Sequence, residues 1–137
     1  PQRSTLFPYT TLFRSGMPPY DYFALPAPKW RIPIHRTDVG TLIAADLIGA
    51  RSCIFVKDEK GLYTDDPKKN PKASFIPEIS VKDLLKKNLD DLIIERPCLD
   101  ILQTSEVINK IQIVNGLEKG NITKALAGKP VGTVIYK

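Results

Sequence analysis

Histidine, methionine and tryptophan occur once each in the 137 residues, and cysteine only twice. One imidazole and two separated thiols lack the ligand spacing that a metal site built from cysteine and histidine requires. Cys53 and Cys98 both have apolar flanks, Ser-Cys-Ile-Phe-Val and Pro-Cys-Leu-Asp. That setting predicts buried, reduced thiols and no disulfide, the pattern of a cytoplasmic protein. No apolar run approaches the roughly 18 residues that a spanning helix needs, so no membrane segment is expected. No basic patch followed by an apolar stretch opens the chain, and no secretory signal is legible. Aromatic residues make up 8% of the chain, and the lysines at 57–72 and 82–87 are interleaved with acids. A net charge of +5 so distributed reads as a solvated surface, and no nucleic-acid partner is expected.

What is present is ordinary for a globular domain. Hydrophobic residues at 42% and charged residues at 26% argue against disordered and fibrous classes. The length suffices for one domain with a core and is short for two.

Residues 1–15 differ in character from the rest. Thr-Leu-Phe stands at 5–7 and again at 11–13, and Arg-Ser stands at 3–4 and 14–15. The block has no helical period, and Pro8 interrupts any strand. It reads as an artefactual leader of adapter or assembly sequence and is expected to be disordered. The expected domain is then 16–137. From Gly16 to Pro33, five prolines alternate with Tyr20, Tyr22, Phe23 and Trp30. Such density favours extended segments and turns that clamp onto a neighbour.

Helical periodicity predicts a first helix over Val39–Ile48, with Thr37 or Asp38 as N-cap and Gly49 just past its end. Ser52–Lys57 reads as a short apolar strand, and 58–71 as a charged loop rich in turn residues. Ser80 caps a helix over Val81–Lys87, with Asp83 in a capping-box position. A further helix is expected over Leu99–Asn109, a strand over Ile111–Val114, a short helix over Ile122–Ala127 ending at Gly128, and a closing strand over Gly132–Tyr136. Helices alternating with short apolar strands predict an open α/β sheet covered on both faces, a three-layer αβα arrangement. Ligands in such sheets bind beyond the carboxyl ends of strands, which marks the loops after Val56 and Val114. The start of the first helix is a second candidate anion site.

The run Asp58-Glu-Lys-Gly61-Leu-Tyr63-Thr-Asp65-Asp66-Pro67 resembles the K-V-D-G-V-Y-x-x-D-P loop of uridylate kinases in the amino acid kinase superfamily. His35-Arg-Thr37-Asp38 is similar to that family's T-T-D-x-A-A segment. Ile113-Val-Asn-Gly116, Gly120-Asn121 and Gly132-Thr133 follow in the family's order. The combination of Pro18-Pro19-Tyr20, Arg31-Ile-Pro-Ile-His35-Arg and Val114-Asn-Gly-Leu117 resembles the molybdenum storage branch of the superfamily most. The resemblance covers Gly16–Lys137 and implies the C-terminal, nucleotide-binding half of an amino-acid-kinase-type fold.

The storage branch implies a subunit that binds ATP with Mg and gathers molybdate or tungstate into oxoanion clusters, within a homo- or hetero-oligomer, a hexamer in the intact parent. The alternative it leaves is a kinase that phosphorylates UMP from ATP. Carried onto this sequence, the resemblance implies that Lys57, Tyr63 and Asp66 hold the nucleotide. It places Thr37 and Asp38 on the substrate or phosphate side and makes His35 a ligand of the metal-oxide cluster. Asp58 stands where the kinases have Lys, and Lys60 where they have Asp. The family's glycine-rich phosphate loop and catalytic lysines have no counterpart here, so no catalytic residue is assigned and the fragment is expected to be inactive alone.

Overall fold

The computed structural model describes residues 37–90 and 92–137. The leader at 1–15, the proline-rich segment at 16–33 and His35 lie outside the described residues.

The first helix, α1 (Thr37–Leu47), buries Val39, Leu42 and Ala45 on one stripe. It stops before Gly49, whose φ of +73° only glycine adopts freely. Strand β1 (Ser52–Lys57) follows. The segment expected to be loop instead begins a two-stranded ribbon, β2 (Leu62–Tyr63) against β3 (Phe75–Ile76), paired antiparallel. A three-residue strand, β4 (Glu78–Ser80), then leads straight into α2 (Val81–Lys87). Here Ser80 Oγ accepts the Asp83 N–H at 3.0 Å and donates to the Asp83 carboxylate at 2.7 Å, a working N-cap. Helix α3 (Pro97–Thr104) is shorter than the expected Leu99–Asn109. Ser105 ends it by leaving the helical region (ψ 133°), and its Oγ accepts from the N–H groups of Val107 and Ile108. That turn swings Ile108 into the core before β5 (Lys110–Asn115). Helix α4 (Asn121–Leu126) and strand β6 (Thr133–Tyr136) close the chain.

The main sheet has the order β1-β5-β6-β4. β1 runs parallel to β5, and β4 parallel to β6, while β5 and β6 are antiparallel. The burial pattern of β6, with Thr133 and Ile135 inside and Tyr136 exposed, suits a strand covered mainly on one face. Cys53 and Phe55 stand opposite Ile111 and Ile113, so strand alternation puts all four on one face with Ile135. That face joins α1, α2 and α3 through Leu42, Leu84, Leu99 and Leu102 in a single core cluster. α4 lies against β5, but Ile122, Leu126, Val56 and Leu117 around it are exposed, so the second face is covered only in part.

Both thiols are buried and free. Burial pushes Cys53 from 9.0 up to about 11, with the Asp38 charge adding to it, and pushes Cys98 higher still, again chiefly by burial. A thiol-specific reagent at pH 8 should therefore find no reactive group in the native chain and two after denaturation. The folded state keeps protons that an unfolded thiol releases. This contribution is complete below the unfolded value of 9.0 and is lost as pH rises through the Cys53 value of about 11. Fast labelling of either cysteine without denaturant would contradict the burial of both in the core.

Candidate functional site

The parallel pairing of β1 with β5 sets Lys57 beside Asn115, so their carboxyl ends form one edge. The Gly116 N–H donates to the Lys57 carbonyl at 2.8 Å and carries that contact into the loop. A side chain on Gly116 would meet Val56 Cγ1 at 2.4 Å. The loops after Val56 and Val114 therefore leave the sheet side by side, as expected.

The start of α1 faces the same edge. Asp38 lies inside the first turn of α1, one residue after the helix begins, and does not act as its N-cap. Its two carboxylate oxygens each accept from Lys57 Nζ at 2.8 Å, and the side chains are only 13% and 24% exposed. A carboxylate near a helix N-terminus is favoured by the helix dipole, and here it also neutralises a lysine at a strand end. The carboxylate at this helix start is thus engaged by Lys57. Thr37 is exposed at the head of the helix, its carbonyl accepting from Thr41 Oγ1 at 2.8 Å.

The ribbon is fastened to the sheet by one buried hydroxyl. Thr133 Oγ1 accepts the Leu62 N–H at 2.8 Å and donates to the Ile76 carbonyl at 2.5 Å. Gly61 lets the chain pass this close, since a Cβ there would stand 2.4 Å from Thr133 Oγ1. Thr133 itself pairs with Ile113, near the end of β5, so Tyr63 is held at the edge that carries Asn115.

Beyond β2 the backbone turns on its own aspartates. Asp65 accepts from the Asp66 N–H at 2.8 Å and from Asn70 Nδ2 at 2.7 Å. Asp66 accepts the Lys68 N–H at 2.9 Å and pairs with Lys69 Nζ at 3.0 Å. Asn70 foremost holds the Asp65 carboxyl below the usual carboxylate range, and the Lys68 N–H foremost does so for Asp66. Asp66 therefore has a turn-forming role whatever else it does.

The residues that depart from the resembled loop have partners. Lys68 reaches Glu59 at 2.9 Å and Asp58 at 3.3 Å, and these contacts, Glu59 foremost, raise its pKa. Lys60 places its ammonium 4.4 Å from the centre of the Phe75 ring. Phe75 in turn meets the Tyr63 ring edge to face, with centroids 5.5 Å apart. The sequence reading singled out neither Phe75 nor Lys68.

A cavity of about 190 Å³ is walled by Tyr63, Gly61, Pro67 and Ile93 on its apolar side and by Glu59, Asp65, Asp66 and Lys68 on its polar side. Tyr63 and Asp66 thus share a cavity, whereas Asp38 and Lys57 form a separate pair that is not part of its wall. The aromatic wall and acceptor-rich rim fit a nucleobase with ribose hydroxyls. The volume falls below the roughly 300 Å³ at which ordinary ligand pockets begin. Its one lysine is already held by two carboxylates. Among the described residues no group of three His, Cys, Asp or Glu could hold a metal ion.

The model of the amino acid kinase family matches residues 18–115. Over 121 residues the chain is 50% identical to molybdenum storage protein subunit beta of Azotobacter vinelandii, covering 88% of this chain and 45% of that one. It is 36% identical over 106 residues to a uridylate kinase of Thermofilum pendens, covering 72% of this chain and 44% of the relative. Uridylate kinase from Archaeoglobus fulgidus superposes with a TM-score of 0.63 at 29% identity, over 76% of this chain and 48% of that structure. The chain spans about half the length of each protein it matches. Sequence and α/β architecture agree: this chain belongs to the amino acid kinase family.

Proposed function

We propose that this chain supplies the base-binding part of an ATP site in a subunit that stores molybdenum or tungsten as oxoanions. The observation that carries this reading is the 50% identity to a molybdenum storage subunit, against 36% to a uridylate kinase. Tyr63 offers its ring to the adenine and Asp66 an acceptor to the ribose. Lys57, at the carboxyl end of β1, serves the nucleotide from outside the cavity. Thr37 and Asp38 face the oxoanion or phosphate side, and His35 ligates the stored cluster. Homologous subunits complete the assembly, in the cytoplasm. The phosphates of ATP, with any Mg, are held by residues beyond those that line this cavity.

The loop reading predicts weak binding of ATP to the chain itself, followed by calorimetry or NMR shifts. Tyr63→Ala should weaken it about fivefold or more, since stacking a base on an aromatic ring contributes about 1–3 kcal/mol. Equal affinity of parent and variant would remove the loop from the site.

A uridylate kinase is the second reading, supported by the Leu62–Pro67 loop and by the superposition on uridylate kinase. One experiment separates them. The matched segment of the Azotobacter vinelandii subunit is replaced by this chain, and the full-length chimera is made in molybdate-fed cells. Retained molybdenum without UDP formation from UMP supports storage; UDP formation without molybdenum overturns it.

A further inference from the structure

The Lys60 ammonium, the Phe75 ring and the Tyr63 ring form a continuous stack beside the cavity, with successive separations of 4.4 and 5.5 Å. Tyr63 and Phe75 are direct cross-strand partners in the β2–β3 pair. That pair has only two residues on each strand, so backbone pairing alone holds it weakly. Two further constraints act on the ring of Phe75. A Cβ on Gly61 would stand 3.0 Å from Phe75 Cε2, so the ring lies over the bare backbone of the cavity wall. The Ile76 carbonyl, next in the chain, is fixed by Thr133. Phe75 is thus held on its own account and can impose an orientation on its neighbour. An edge-to-face neighbour at this distance disfavours the alternative rotations of the Tyr63 ring. The ammonium over the Phe75 face reinforces the stack.

We propose that Phe75, backed by Lys60, is the positioning residue of the nucleoside cavity: it fixes the Tyr63 ring in the orientation that receives a base. This rests on the adenosine reading of the cavity given above. It also gives a use to Lys60, which stands where the resembled kinase loop carries an aspartate. Phe75 touches no ligand in this scheme and acts only through Tyr63.

Adenosine, which tests the base end without phosphates, is titrated into the full chain and its variants. Phe75→Leu should weaken binding about two- to twelvefold, the range given by the loss of one aromatic pair. Lys60→Met, at an exposed position that folding does not need, should weaken it about twofold. Phe75→Tyr should restore the parent affinity. In chains labelled with 3-fluorotyrosine, the Tyr63 resonance, assigned through Tyr63→Phe, should be single in the parent and broadened or doubled in Phe75→Leu. Parent-like affinity and a single resonance in Phe75→Leu, with binding lost in Tyr63→Ala, would overturn the positioning role alone. No adenosine binding by the parent, or full binding by Tyr63→Ala, would overturn the adenosine reading and this inference with it.

Discussion

Gly132→Ala is expected to lower the unfolding free energy by about 3–4 kcal/mol, the sum of a left-handed backbone and an overpacked contact. Gly132 has φ +73°, and a Cβ there would stand 1.9 Å from the Ile113 carbonyl oxygen and 3.1 Å from that of Lys60. The nearer obstacle cannot move aside. Ile113 is in the centre of the sheet and fully buried, and its carbonyl belongs to a strand held on both sides. Gly128 provides the control, since its φ is +76° but a Cβ would meet nothing within 4 Å. Gly128→Ala should therefore lose only about 1 kcal/mol. Urea denaturation of both variants measures the difference, with unchanged slopes confirming that stability alone has moved. Equal midpoints would mean that the close approach of Gly132 to β5 does not exist in solution. Because Thr133 ties the ribbon to the sheet, Gly132→Ala should also loosen the loop that carries Tyr63.

Much of the fold was legible because its signals are local. Ser80 with Asp83, and Gly49 and Gly128 just past their helices, are caps that act within a few residues. The apolar runs of β1, β5 and β6 announce buried strands by themselves. β2, β3 and β4 were not legible, and the reason is physical. They are two or three residues long, and β2 and β3 are secured by the Thr133 hydroxyl, 71 residues from Leu62 and 57 from Ile76. No period can appear in two residues. The overlong third helix has a different cause: Leu102 and Ile108 are both core residues, but a serine turn joins them where a helical period had been assumed.

The candidate site was legible in its order of motifs and illegible in its internal contacts. Resemblance singled out Tyr63, Asp66 and Lys57 as candidates, while the partners of Asp58 and Lys60, Lys68 and Phe75, belong to a ribbon and its connection that had not been anticipated. Lys68 and Phe75 carry no signal in isolation: one is a lysine among lysines, the other an aromatic in a short apolar stretch. Asp38 is instructive in the same way. A carboxylate at the start of a helical period is ordinarily a cap, worth about 1 kcal/mol. The competing partner, Lys57, is 19 residues away, and only the crossing of α1 over the end of β1 brings it near.

That pair supports the second large prediction. Asp38→Ala should destabilise the chain by about 2 kcal/mol, between the 3–5 kcal/mol of a fully buried broken pair and the 0–1 kcal/mol of an exposed one. Side chains 13% and 24% exposed place it between those limits. The loss has two parts: the carboxylate's interaction with the first turn of α1, and the uncompensated ammonium left at the end of β1. Adding Lys57→Met removes the second part, so the double variant should be more stable than Asp38→Ala by about 1 kcal/mol. A double-mutant cycle, with Lys57→Met as its fourth corner, reads the coupling directly. Additive single effects would show that the two groups are near each other without depending on each other. If they are coupled, any ligand that draws Lys57 away must also compensate Asp38, so binding of an anion at Lys57 should be tighter in Asp38→Asn than in the parent. That variant removes the competing charge and keeps the side chain's shape. The sign of its effect on ATP affinity therefore tells whether Lys57 meets phosphate or serves only the helix start.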